Sequence, residues 1–175
     1  MNSPFTPVPF HYTRSVPNLS PFAIYRRLAT PGAQSFLLES GKGTPDIARY
    51  SFIGTDPYLS FTCKGSTIEI EDSSGIRVLH GDPWSELRSI FTRIGYPNRT
   101  SLPPFFGGAV GYFSYDLVHH FEDFPRIAAD DLNLPDIHLI FVDTVIAIDH
   151  VSQQLHLIFA PPNDRCLTTS HDSLQ

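Results

Sequence analysis

The residues with the most chemistry to offer lie between positions 36 and 54. One carboxylate, Glu39, one cation, Arg49, and the hydroxyls of Ser40, Tyr50 and Ser51 stand beside an apolar set of Phe36, Leu37, Leu38, Phe52 and Ile53. A carboxylate can meet an ammonium group, a guanidinium or hydroxyl can meet a carboxylate, and an apolar wall can take a side chain. Together they suit a zwitterion such as an amino acid. The candidate binding residues are therefore Leu38, Glu39, Ser40, Arg49, Tyr50 and Ser51. A plainer reading stands beside this one, because Glu and Arg at strand ends are commonly solvated and a Leu-Leu pair is commonly core.

Other groups invite chemistry and give less. His119 and His120 are adjacent, so in a helix or a strand they point to different sides, and Glu122 and Asp123 nearby are generic partners; surface or packed histidines are the better account. Asp149-His150 could transfer a proton, but an acidic turn residue followed by a hydrogen-bonding imidazole is the commoner meaning. Gly107, Gly108 and Gly111 have no following Lys-Ser or Lys-Thr and no helix whose N-terminus could hold phosphate, so they are not read as a phosphate loop. Cys63 and Cys166 are far apart, with no spacing that suggests metal or redox work, and both are expected to be free thiols. No catalytic or metal-ligating residue is assigned.

The elements that must position the candidate residues follow from periodicity. Residues 36–40 and 48–54 read as two strands joined by the loop Gly41-Lys42-Gly43-Thr44-Pro45. A helix is expected over 20–29, with Ser20 as N-cap, Pro21 at its first position, Phe22, Tyr25 and Leu28 on its apolar side and Arg26 and Arg27 toward water. Residues 58–64, 66–71 and 76–80 form an antiparallel meander. Asp82 caps a second helix, whose apolar stripe is Trp84, Leu87, Ile90, Phe91 and Ile94; Trp84 is core and has no binding role. Residues 96–104 make a rigid connector into a strand over 105–116, where glycines admit a close neighbour and Tyr112, Phe113 and Tyr115 fill both faces. One or two helical turns follow at 117–122, then one long strand at 137–149, a turn at 151–154 and a strand at 155–159.

Composition narrows the class. With 175 residues, 41% hydrophobic content, 14 Phe and 16 Pro, the chain can bury a core and favours strands broken by rigid turns, which predicts an α+β domain dominated by sheet. Residues 1–16 form an extended N-terminal segment, 17–162 one domain and 163–175 a flexible tail. A net charge of −6 with scattered Lys and Arg argues against nucleic acid and anionic membrane as partners. No apolar run is long enough to span a membrane and the N-terminus has no signal-peptide pattern, which points to the cytoplasm. Asn98-Arg99-Thr100 matches a glycosylation acceptor, without consequence in that compartment.

Three motifs in order carry a resemblance. Leu37-Leu38-Glu39-Ser40 with Arg49-Tyr50-Ser51-Phe52-Ile53-Gly54, then Gly107-Gly108-Ala109-Val110-Gly111-Tyr112 followed by Tyr115-Asp116, then Pro135-Asp136 and Ile148-Asp149-His150, resemble the N-terminal region of anthranilate synthase component I and aminodeoxychorismate synthase component I, which use chorismate. The resemblance spans roughly residues 17–160; a basic residue is common in the family where His119-His120 stands. It implies the N-terminal half of that family's fold, antiparallel β-sheets in a sandwich-like arrangement with a few outer helices, with the Leu-Leu-Glu-Ser segment supplying part of a tryptophan feedback site and Glu39 facing a mostly apolar pocket. It also implies partners: a chorismate-binding catalytic half, which holds Mg2+ and whose Lys-Ala-Glu and Asn-Pro-Ser-Pro-Tyr stretches are missing from these residues, and the glutamine amidotransferase subunit of the full enzyme.

The chain is thus expected to be a regulatory and structural module, truncated or split from its catalytic half and without a cofactor of its own. A stand-alone tryptophan-binding domain and an inactive remnant are the alternatives. The helix at 20–29 and the short loop after Gly41 point to the folate enzyme, the intact Glu39-Ser40 pair points to the tryptophan enzyme, and on balance the folate enzyme is expected.

Overall fold

Where apolar and polar side chains alternate with a period of two, a chain can bury one set only as a strand. The run Thr67-Ile68-Glu69-Ile70-Glu71 does this: Ile68 and Ile70 are buried while Glu69 and Glu71 are exposed. The structure, a computed structural model, describes residues 9–40, 48–94, 101–122, 125 and 130–162. The expected loop at 41–45, most of the connector at 96–104, the Asn98 acceptor, Cys166 and the tail at 163–175 lie outside them.

The strands are β1 (Phe10–Ser15), β2 (Ser35–Leu38), β3 (Tyr50–Thr55), β4 (Leu59–Lys64), β5 (Thr67–Asp72), β6 (Gly75–His80), β7 (Gly108–Phe113), β8 (Ile137–Val142), β9 (Thr144–Asp149) and β10 (Gln154–Phe159). The helices are α1 (Pro21–Leu28) and α2 (Pro83–Ile94), with a 3-10 turn at Tyr115–His120. Two five-stranded antiparallel sheets result, one ordered β1-β10-β9-β3-β2 and the other β6-β5-β4-β8-β7. The expected α+β class is the observed one.

Two ribbon strands pass from one sheet to the other. β3 pairs β9 in the first sheet and β4 pairs β8 in the second, so the chain turns a corner at Asp56-Pro57 and again at Asp143. Asp56 adopts φ +53, and the Tyr58 amide donates to the Phe141 carbonyl at 2.9 Å, which carries the pairing past the corner. Strands that bend between sheets make the edges of such sandwiches. The single strand expected over 137–149 is therefore two. The buried Asp143 ends one and starts the next, its carbonyl accepting the Ala160 amide at 2.7 Å.

Alternation along β8 then divides the core. Ile137, Leu139 and Phe141 join Phe61, Ile68, Ile70 and the α2 residues Leu87, Ile90 and Ile94, whereas Ile140 and Val142 meet Phe36 and Val145 between the sheets. Helix α2 starts as expected: Asp82 accepts from the Trp84 and Ser85 amides at 3.2 and 3.1 Å, and Trp84 stacks on Phe113 with ring centroids 5.7 Å apart. Helix α1 also has its Ser20 cap, which accepts from Ala23 N at 3.3 Å. Its apolar side is not buried, however, and Phe22 and Leu28 are exposed. Two turns of helix pack mainly on β2 and β3, where the Tyr25 hydroxyl meets Ser35 Oγ at 3.0 Å.

Two further expectations change. Residues 10–15 do not precede the fold but form its edge strand β1, paired along β10 from Phe10–Phe159 to Ser15–Gln154. His11 Nε2 and His156 Nδ1 lie 3.0 Å apart across that pairing, and the His156 pKa is lowered by burial and then by the neighbouring His11. The β7 glycines do admit a close neighbour, because a Cβ on Gly111 would overlap the His138 carbonyl oxygen of β8. Tyr112, Phe113 and Tyr115 nevertheless do not fill both faces. All three are exposed: Tyr112 and Phe113 lie on β7, the outermost strand of its sheet, and Tyr115, 88% exposed, opens the 3-10 turn that follows.

Candidate functional site

Strands β2 and β3 form the expected hairpin, with Leu38 opposite Phe52 and Phe36 opposite Gly54. The pairing needs glycine at 54, since a Cβ there would overlap the Phe36 ring. Alternation puts Tyr50 and Phe52 on the face toward the second sheet, where Phe52 packs with Phe105 and Val110, and puts Ser51 and Ile53 on the opposite face. The six candidate residues do not converge on one side of the sheet. Leu38 and Glu39 are exposed, Ser40 and Tyr50 are half-buried, and Ser51 is fully buried.

Register decides who holds whom. Tyr50 lies opposite Asp149 on β9, which brings that buried carboxylate beside Arg49, a hundred residues away in sequence. Arg49 Nε and one terminal nitrogen donate to Asp149 Oδ2 at 3.1 and 2.8 Å, and the guanidinium carbon sits 4.9 Å from the Tyr50 ring centroid. Asp149 Oδ1 meanwhile accepts the Val151 and Ser152 amides of the β9–β10 turn at 2.9 and 3.1 Å. The carboxylate thus fixes a cation with one oxygen and a turn with the other.

The electrostatics follow from that arrangement. Burial alone would raise the Asp149 pKa, but the hydrogen bonds from Arg49 and from the Ser152 and Val151 amides outweigh it and hold the carboxyl well below the usual range. Arg49 is raised by the same hydrogen bond and by the Asp149 charge. Tyr50 is raised by burial and then by Asp149, so its hydroxyl stays a neutral donor and acceptor at neutral pH.

Ser40 and Ser51 fasten the end of the hairpin. Ser40 Oγ donates to the Tyr50 carbonyl at 2.6 Å, and the Ser40 amide donates to Ser51 Oγ at 3.4 Å. Ser51 Oγ also lies 2.7 Å from His150 Nε2. Asp149 and His150 are therefore not a proton-transfer pair: one holds Arg49 and the turn, the other holds Ser51. The turn-and-hydrogen-bond reading of the two is the observed one.

Glu39 is exposed and, among the described residues, faces no apolar pocket. It follows the last residue of β2, itself the outermost strand of its sheet, and Arg49 is already engaged by Asp149. What the hairpin end offers a ligand is the exposed Glu39 carboxylate, the half-exposed Arg49 guanidinium and the exposed side chain of Leu38. A cleft of about 850 Å³ lies elsewhere, lined by residues such as Gln34, Tyr58, Asp72, Arg77 and Arg93, and contains none of the six. Among the described residues no group of three or more His, Cys, Asp or Glu could hold a metal ion, and no helix is long and apolar enough to cross a membrane. Cys63 is a free thiol, pushed up to about 11 by burial and by Asp136.

Sequence reading named Asp149 and His150 as a turn residue and a hydrogen-bonding imidazole but did not pair them with Arg49 and Ser51. Their positions before a turn were legible, but pairing them with Arg49 and Ser51 requires the β3–β9 register.

Comparison with known proteins agrees with this fold. A family model described as chorismate binding enzyme matches residues 33–174. Anthranilate synthase component 1 of Acetivibrio thermocellus is 39% identical over 79% of this chain and 28% of its own, and aminodeoxychorismate synthase component 1 of Bacillus subtilis is 32% identical over 77% and 28%. The crystal structure of anthranilate synthase component I from Streptococcus pneumoniae TIGR4 superimposes with a TM-score of 0.56 at 25% identity, over 84% of this chain and 31% of that one. The chain therefore spans less than a third of the length of these relatives. With its two antiparallel sheets and a match over most of its length, the chain belongs to the chorismate binding enzyme family.

Proposed function

We propose that these residues form a regulatory and structural module of a chorismate aminase, with a site for an amino acid, L-tryptophan in the first instance, at the free end of the β2–β3 hairpin. The observation that carries the reading is that the same end of the hairpin presents the exposed Glu39 after β2 and, just before β3, the Arg49 guanidinium held by Asp149. A fixed cation and a nearby carboxylate complement the two charges of a zwitterion, and Leu38 gives its side chain an apolar surface. Identity of 39% to an anthranilate synthase component against 32% to an aminodeoxychorismate synthase component favours the tryptophan branch over the folate branch.

On this reading the 175 residues do not turn over chorismate by themselves. The reaction requires a chorismate-binding catalytic half, which holds Mg2+, and ammonia delivered by a glutamine amidotransferase subunit, in the cytoplasm. Exposure of Glu39 and Leu38 fits a pocket completed by that half. Isothermal titration of L-tryptophan into the chain mixed with a catalytic half from a relative tests the site. Glu39→Ala, which removes a charged hydrogen bond, and Ser40→Ala, which frees the hairpin end from the Tyr50 carbonyl, should each weaken binding about ten- to a hundredfold. Equal affinities in wild type and Glu39→Ala would return Glu39 to the solvated surface. Formation of anthranilate or aminodeoxychorismate from chorismate, ammonia and Mg2+ by the chain alone would overturn the non-catalytic reading.

A further inference from the structure

We propose that His150 is a positioning residue for the hairpin end: its Nε2 accepts the hydroxyl proton of the buried Ser51, and Ser51 thereby holds Ser40 in place. That Ser40 lies in an amino-acid site rests on the function proposed above; the positioning itself does not.

The assignment follows from counting donors and acceptors. Ser51 is 0% exposed, and its Oγ lies 3.4 Å from the Ser40 amide nitrogen and 2.7 Å from His150 Nε2. An amide can only donate, so Ser51 Oγ accepts from Ser40 and must place its own proton elsewhere. A buried hydroxyl proton without an acceptor is costly, and Nε2 is the acceptor within reach among the described residues. Nε2 therefore carries a lone pair, and the proton of the neutral ring resides on Nδ1.

The consequence reaches in two directions. Toward the site, the regular strand β2 ends at Leu38, and beyond it Ser40 is tied down by its hydroxyl to the Tyr50 carbonyl and by its amide to Ser51. Toward the N-terminus, the His150 amide donates to the Arg49 carbonyl at 2.8 Å and the His150 carbonyl accepts from Gln153 Nε2 at 2.7 Å. Gln153 in turn accepts the Val16 amide on its carbonyl and the Asn18 amide on its side chain, both at 3.0 Å. One short turn thus joins the hairpin end to the segment that leads into α1.

Amide hydrogen exchange at Ser40 in the 175-residue chain, without ligand, tests the positioning role. His150→Ala should speed exchange of the Ser40 amide about tenfold or more while β4 and β8 amides keep their protection, and His150→Gln, whose side-chain oxygen can accept from Ser51, should restore it. Unchanged Ser40 exchange in His150→Ala would overturn the proposal, as would failure of His150→Gln to restore it. Should His150→Ala fail to fold, the nitrogen spectrum of the wild-type imidazole decides: an unprotonated Nε2 supports the assignment, and a protonated Nε2 overturns it. A tryptophan titration run in parallel separates the two ideas. Ser40 exchange that responds to His150→Ala, without any tryptophan binding by wild type mixed with a catalytic half, would sustain the positioning role and sink the proposed function.

Discussion

Asn in place of Asp149 should cost stability, and the loss should carry a distinct pH signature. The carboxylate is almost fully buried, accepts two bonds from Arg49 on one oxygen and accepts two turn amides on the other. Asp149→Asn keeps an oxygen for the turn but presents an amide NH2 or an uncharged oxygen to the guanidinium. Hydrogen bonds to charged groups contribute roughly 1.5–3 kcal/mol, and the half-exposed Arg49 side chain can turn to water, so a net loss of about 2 kcal/mol is expected. For a chain of this length that corresponds to a fall in Tm of roughly 4–8 °C.

The sign of the pH dependence follows from the depressed carboxyl. The unfolded chain takes up its proton near about pH 4, whereas the folded one resists protonation until well below that. Stability from the charged form is therefore fully present above about pH 4 and drains away as pH falls toward the folded value. Thermal unfolding of wild type and Asp149→Asn between pH 7 and pH 2 should give curves separated at neutral pH that converge in acid. A separation that persists unchanged to pH 2 would show that the Arg49–Asp149 bond contributes no charge-dependent stability.

Two other substitutions probe the frame. Gly111→Ala places a methyl against the His138 backbone of the paired strand, which cannot move without breaking the sheet, so it should lose about 3 kcal/mol or more in denaturant unfolding; Gly54→Ala, whose nearest neighbour is the Phe36 ring, a side chain that can shift, should lose less. If the two cost the same, the β7–β8 approach is looser than described. Asp82→Ala removes both cap bonds at the start of α2 and should cost about 1 kcal/mol in the same assay, with Asp82→Ser recovering most of it.

The sequence by itself determined the elements and their faces. Alternation at Ile68 and Ile70, the Asp82 and Ser20 caps and the turn at Gly65 are interactions between neighbours along the chain, so their signals are local and readable. Three motifs in order identified the family for the same reason, since they are contiguous runs. Only the tertiary structure decided which strand pairs with which. Residues 137–149 look like one strand because every residue in the run suits a strand; the break at Asp143 arises from the corner that the whole ribbon turns between two sheets. Phe10–Ser15 looked like an extended segment ahead of the domain because prolines surround it, yet an edge strand needs hydrogen bonds on one side alone and β10 supplies them. Arg49 seemed available to Glu39, ten residues away, until antiparallel register set Asp149 beside it and His150 against Ser51. Pairing across a hundred residues is fixed by the collective burial of both sheets, and no local run of side chains encodes it.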